Sequence, residues 1–257
     1  MPDWNTILII AAGFFVIATL YSSVGFGGGS SYLALMALFV TDFHAIKTIA
    51  LLCNLVVVTN GSYLFYKRGF FDWKKFIPLV ICSVPAAFFG AMMRLTQHSF
   101  FIALGCVLIL AGILLLVQIY LRPSAGPGKS FPSWMNLVLG TAIGFLSGMV
   151  GIGGGILLSP ILNLLQWDNA KKIAALASFF ILVNSISGLL GQLAGGTLQF
   201  NSTLFLPLLV AVFIGGQLGT RLSLNLIKAS VVKGLTGVLV AYIGIKLILQ
   251  YTKGINI

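Results

Sequence analysis

Residues 22–31 of the chain read SSVGFGGGSS, and 126 positions further on residues 148–157 read GMVGIGGGIL. Glycine-rich turns suit one kind of chemistry. With no Cβ in the way, backbone N–H groups approach a ligand closely, and a helix resuming after the turn offers unpaired N–H groups and a positive dipole end to an anion. An anion held between the two turns would meet Gly25, Gly27, Gly28 and Gly29, with Ser23 and Ser30, from the first, and Gly151, Gly153, Gly154 and Gly155 from the second. Ser30 and Ser31 either cap the first resumed helix or donate hydroxyls to an oxyanion, Ser22 and Ser23 border it on the other side, and the second copy carries Ile156 and Leu157 instead. Asn54 and Asn184, each deep in a long apolar run, add amides that donate hydrogen bonds without adding charge. The competing reading of the glycines is close helix packing, and of the asparagines ordinary interhelical bonding. Ser178, Ser185, Gln192 and Gln217 are weaker candidates of the same kind.

Other chemistry finds little support. There is no HExxH, no Gly-x-Ser-x-Gly elbow and no pair of carboxylates, and GFGGGSS lacks the Lys-Ser/Thr of a phosphate loop. No catalytic residue and no cofactor is expected. His44 and His98 are isolated, and Cys53, Cys82 and Cys106 fall singly in separate apolar runs as small hydrophobes, so no metal site is expected. Asp42 and Asp168 match across the repeat, each just before an apolar run, where Asp caps a helix. Lys47 is expected to snorkel to the outer interface, the alternative being attraction of anions to an outward mouth. Arg94 and Arg221 end apolar runs and are expected to anchor at the interface.

The elements that position these residues follow from composition. Of 257 residues, 59% are hydrophobic and 7% charged, far too few charges to cover a soluble surface. Apolar runs lie near 4–40, 45–66, 76–93, 99–121, 134–166, 171–195, 203–222 and 230–250, so the fold expected is an all-α polytopic membrane protein. The opening run lacks a basic flank and a cleavage site and reads as a first membrane segment. The fifteen Lys and Arg sit in short loops, where they orient the chain in the bilayer, and nucleic acid is not an expected partner.

The stretch RPSAGPGKSFPS (122–133) reads as a linker between an N-terminal repeat (1–121) and a C-terminal repeat (134–257). Pro78 and Gly90 match Pro207 and Gly219 at an offset of 129. A straight helix from Trp4 to Val40 would be about 55 Å long, against a hydrocarbon core of about 30 Å. Each overlong run must break, and its glycines are where a helix is weakest. If each glycine run crosses the membrane once, Lys and Arg divide eight against seven; if each is a hairpin, eleven gather on one side and four on the other. Positive charge accumulates in cytoplasmic loops, which favours hairpins. Each half then makes five complete or partial passes, about ten in all, and the two halves insert upside down relative to each other, as in many secondary transporters.

The paired VGFGGG and VGIGGG motifs, each early in one half of a small basic membrane protein, resemble the TauE/SafE sulfite exporter family, and the resemblance spans essentially the whole chain. It implies export of sulfite, an organosulfonate or a related small anion across the cytoplasmic membrane. The expected partners are that anion and the lipid bilayer, with a homo-oligomer as a further option. The chain departs from the family in HAIKTIALL (44–52), which puts Lys47 where relatives often have a small or hydroxyl residue. The alternatives are a passive anion channel or a carrier of another small anion.

Overall fold

A computed structural model describes residues 4–23, 26–40, 42–121, 131–200, 202–222 and 229–253. These residues form ten helices and no strand. The first five are α1 (Trp4–Ser23), α2 (Gly29–Met36), α3 (Phe43–Lys67), α4 (Trp73–Met92) and α5 (Gln97–Leu121). The second five are α6 (Ser133–Val150), α7 (Gly155–Leu164), α8 (Ala170–Ala194), α9 (Ser202–Leu222) and α10 (Ala229–Lys253). Most of the stretch read as a linker, residues 122–130, lies outside the described residues, as do Gly25 and the side chain of Arg221.

Seven of the described helices are long and apolar enough to cross a membrane. Their outer faces carry Leu8, Ile9, Ile81, Ile113 and Val238, all exposed, which suits a lipid solvent. Trp4, Trp73, Trp134 and Tyr120, also exposed, sit at or near helix ends, where amphipathic rings favour the headgroup level. The short helices α2 and α7 have eight and ten residues. At 1.5 Å per residue they span only about 12–15 Å, roughly half the hydrocarbon core.

Both overlong runs break at their glycines. After the first break α2 runs back along α1: Ser31 meets Tyr21, Tyr32 stacks on Phe14 with ring centroids 4.5 Å apart, and Leu35 packs over Gly13. Ascending numbers in α2 meet descending numbers in α1, which is a hairpin.

The packing of the two halves is interchangeable. α1 lies on α9 as α6 lies on α4; α2 touches α3 and α10 as α7 touches α8 and α5; α4 packs on α8 as α9 packs on α3. α3 pairs with α8, and α5 with α10. Replacing each helix by the one five places along returns these same pairs. Small residues permit the closest approaches. Gly90 lies over the carbonyl of Phe145 and Gly219 over that of Thr19, and Gly144 and Gly148 lie over the α4 backbone at Ser83 and Ala87. In lipid, where apolar burial gives no drive to associate, such backbone-to-backbone contact is a main source of helix cohesion.

Capping differs between the halves. Asp42 caps α3 as expected, accepting from His44 N at 3.1 Å and Ala45 N at 3.3 Å. Asp168 does not cap α8. Asn169 does so, accepting from Lys172 N at 2.9 Å, while Asp168 pairs with Lys75 at 2.6 Å and Lys172 at 3.7 Å. The cations reaching it from the α4 start and from α8 itself draw the carboxylate away from the helix end. Of the cysteines, Cys53 is buried, Cys82 partly so, and Cys106 exposed on the outer face.

Candidate functional site: the junction of two glycine turns

Each short helix begins on a glycine in the left-handed region, Gly28 at φ 85° and Gly154 at φ 82°, where an L side chain is strained. The carbonyl of Gly28 accepts from Ser31 N and Tyr32 N, and that of Gly154 from Leu157 N and Leu158 N. The N–H groups before these, of Gly29 and Ser30 in α2 and of Gly155 and Ile156 in α7, have no intrahelical acceptor because a helix leaves its first donors open. Neither helix has a side-chain cap. The expectation that Ser30 or Ser31 caps α2 is therefore corrected: Gly28 holds the cap position, and Ser31 Oγ pairs with Tyr21 Oη at 2.5 Å. Ser30 is buried beside it, and Ser23 Oγ donates back to Leu20 O at 2.6 Å.

The two turns meet inside the protein. Gly27, Gly28, Gly29, Gly151, Gly153, Gly154 and Gly155 are all buried. A methyl on Gly29 would lie 2.7 Å from the Ile152 carbonyl oxygen and 2.8 Å from Asn54 Oδ1. Asn54, with 0% of its surface exposed, is the link between them: its Nδ2 donates to Ile152 O at 3.0 Å. A methyl on Gly27 would lie 2.6 Å from Asn54 Oδ1, and one on Gly153 2.8 Å from Asn54 Nδ2 and 3.2 Å from Ser185 Oγ. Asn54 Oδ1 and Ser185 Oγ are buried without a hydrogen-bond partner. Leaving such a group unpaired costs about 1–3 kcal/mol.

The two sides of the junction differ in their polar group, an amide on one and a hydroxyl on the other. Gly27 faces Asn54 and Val58 of α3, and Gly153 faces Ile181 and Ser185 of α8. Asn54 therefore corresponds to Ile181, and Ser185 to Val58. Asn184 is not brought to the junction. It donates to Ser83 Oγ at 3.1 Å and Phe180 O at 2.8 Å, tying α8 to α4. Of the weaker candidates, Gln192 and Gln217 serve helix contacts, accepting from Thr48 and Asn60.

Sequence reasoning missed Tyr21, Thr236 and Lys233. With Phe26, Leu115 and Ile156 they line a cavity of about 10 Å³ beside the first turn, about enough for one water. The offset of 126 pairs Tyr21 with Ser147, so both members of that pair carry a hydroxyl beside their turn. Lys47 does not snorkel to the protein surface. It is 4% exposed, with its stem over Gly151 and its Nζ donating to Ala91 O at 3.4 Å. The ends of α4 and α6 close over it, a contact that helix position alone does not reveal. Arg94 follows the end of α4 and donates to Gly195 O at the end of α8. Among the described residues no cluster of three His, Cys, Asp or Glu could hold a metal ion.

Residues 9–247 match the family Sulfite exporter TauE/SafE. The chain is 35% identical over 243 residues to the probable membrane transporter protein y4hK of Sinorhizobium fredii, covering 93% of this chain and 97% of the relative. It is 26% identical over 271 residues to the probable membrane transporter protein YunE of Bacillus subtilis, covering 95% and 97%. No solved structure matches. With a family match across nearly its whole length and relatives named as membrane transporters, this multi-pass membrane chain belongs to the TauE/SafE sulfite exporter family.

Proposed function

We propose that the protein is a secondary transporter that exports a small sulfur-containing anion, sulfite or an organosulfonate, across the cytoplasmic membrane. The anion binds between the two glycine turns near the midplane, and the two halves are inverted repeats of five passes each. The observation that carries this reading is the junction itself: two buried helix starts, one from each half, touching through Asn54. Gly27, Gly29, Gly153 and Gly155 let backbone approach the ligand there, with Ser30 and Ser185 as nearby hydroxyls. The interchangeable packing of the halves and the folding back of α2 along α1 support the inverted arrangement.

The junction is closed, since a methyl group finds no room at Gly29. An anion enters only when the turns separate, which favours a carrier of the alternating-access kind over an open channel. The test is a thermal-shift screen of the purified protein against sulfite, sulfate, thiosulfate, sulfoacetate, taurine and small carboxylates. Sulfite or a sulfonate should stabilise the wild type in proportion to its occupancy, and a folded Asn54→Leu variant should lose most of that shift. A wild type stabilised by none of them, or a variant stabilised as much as wild type, refutes the reading.

A further inference from the structure

Lys47 is the one described lysine this deeply enclosed, and nothing in the described structure balances its charge. The three described ion pairs all belong to Lys75 or Lys172. An ammonium has three donors, and the only acceptor Lys47 finds is the Ala91 carbonyl at a long 3.4 Å. That carbonyl is among the last of α4, whose open C-terminal groups carry partial negative charge. A half charge of this kind does not offset a whole one held in an apolar interior.

Its position links it to the junction. Lys47 lies seven residues before Asn54 on α3, two turns along the same face and about 10 Å away along the axis. Its stem rests on Gly151, the residue that ends α6 and opens the second turn. A substituent on Gly151 would strike Lys47 Cγ, so the bare backbone of the turn leaves space for the lysine stem. Once the turns separate, rotation about its flexible stem carries the ammonium toward a ligand lodged beside Gly151, Ile152 and Asn54.

We propose that Lys47 is the counter-charge of the transported anion: the ammonium leaves the Ala91 carbonyl and pairs with an anionic oxygen of the substrate, which completes the charge balance that the protein lacks. This rests on the anion-carrier reading and adds to it a named ionic contact. It also assigns the substrate class as a full anion, rather than a zwitterion or a neutral solute.

The experiment compares wild type with Lys47→Met and Lys47→Arg, each purified and shown monodisperse, by thermal unfolding without added anion and across titrations with sulfite and with sulfoacetate. Lys47→Met should unfold at a higher temperature than wild type without anion, because an isosteric apolar chain removes an uncompensated buried charge. It should bind the anion roughly ten- to a hundredfold more weakly, the range for one charge-assisted hydrogen bond. Lys47→Arg should restore most of the affinity. Unchanged affinity in folded Lys47→Met overturns the proposal whatever its stability. If Lys47→Met does not fold, Lys47→Gln, which keeps a donor for Ala91 O, takes its place. Failure of both neutral variants to fold makes the lysine a structural tie and also overturns the proposal. Loss of binding in Asn54→Leu with full binding in Lys47→Met leaves the carrier reading standing and removes only this inference. A wild type that binds neither anion removes both.

Discussion

Gly29→Ala tests the contact on which the site depends. Gly29 is the first residue of α2 and its backbone angles are ordinary, so alanine fits the chain itself. Helix propensity alone would favour the change by up to about 1 kcal/mol. Against that, the new methyl would sit 2.7 Å from the Ile152 carbonyl oxygen and 2.8 Å from Asn54 Oδ1, closer than carbon and oxygen tolerate. One side of this contact is backbone of the opposite turn, which cannot rotate away. Overpacking of this kind costs typically about 1–3 kcal/mol. The net expectation is a loss of about 0–3 kcal/mol, or a melting temperature lower by up to several degrees at about 2–4 °C per kcal/mol, together with loss of most anion flux in proteoliposomes. Gly234→Ala is the matched control: it lies on α10, its methyl would make only an ordinary 3.5 Å contact with Ile119, and it should melt at or above the wild-type temperature and transport normally. A Gly29→Ala protein with both the stability of the Gly234→Ala control and wild-type flux would refute the contact between the two turns.

Two further outcomes follow from the packing and the charged loops. Gly148→Val should abolish the stable fold in detergent, read by size-exclusion chromatography, because its side chain would drive into the α4 backbone at Ala87. Asp168 is pushed up by partial burial, but the Lys75 hydrogen bond, the Asn169 N–H and the Lys172 charge outweigh this and hold its carboxyl below the ordinary range. A depressed carboxyl contributes stability that is complete above its unfolded value of about 4 and is lost as pH falls through the lower folded value. Melting temperatures from pH 6 to pH 3 should therefore fall more steeply for wild type than for Asp168→Asn, and parallel curves would refute the ion-pair assignment.

Run length and glycine spacing made the breaks legible in the sequence, because a helix cannot fill a run of nearly twice the bilayer core and fails first where it has no side chains. Asn54 was legible from depth. Depth does not say which way a side chain faces, and so Asn184 was misplaced: three residues from Ile181, the counterpart of Asn54, it turns to α4 and finds Ser83. Lys47 was misread for a related reason. Its place one turn into α3 suggests an interface, but the burial comes from α4 and α6, remote in sequence. Asp168 was misassigned because its partner Lys75 is 93 residues away, whereas a cap is a local signal. Tyr21 carries no motif of its own and is recognised only once the hairpin brings Ser31 back beside it.

The left-handed angles at Gly28, Gly151, Gly153 and Gly154 divide the glycines of the two turns into two kinds of probe. At these four, any replacement strains the main chain before a solute is considered, so intolerance there reports on the shape of the polypeptide. Gly27, Gly29 and Gly155 hold angles open to every amino acid, and what they reject is decided by their surroundings. A mutational survey of the protein would therefore read backbone geometry from the first four and the packing of the junction from the other three.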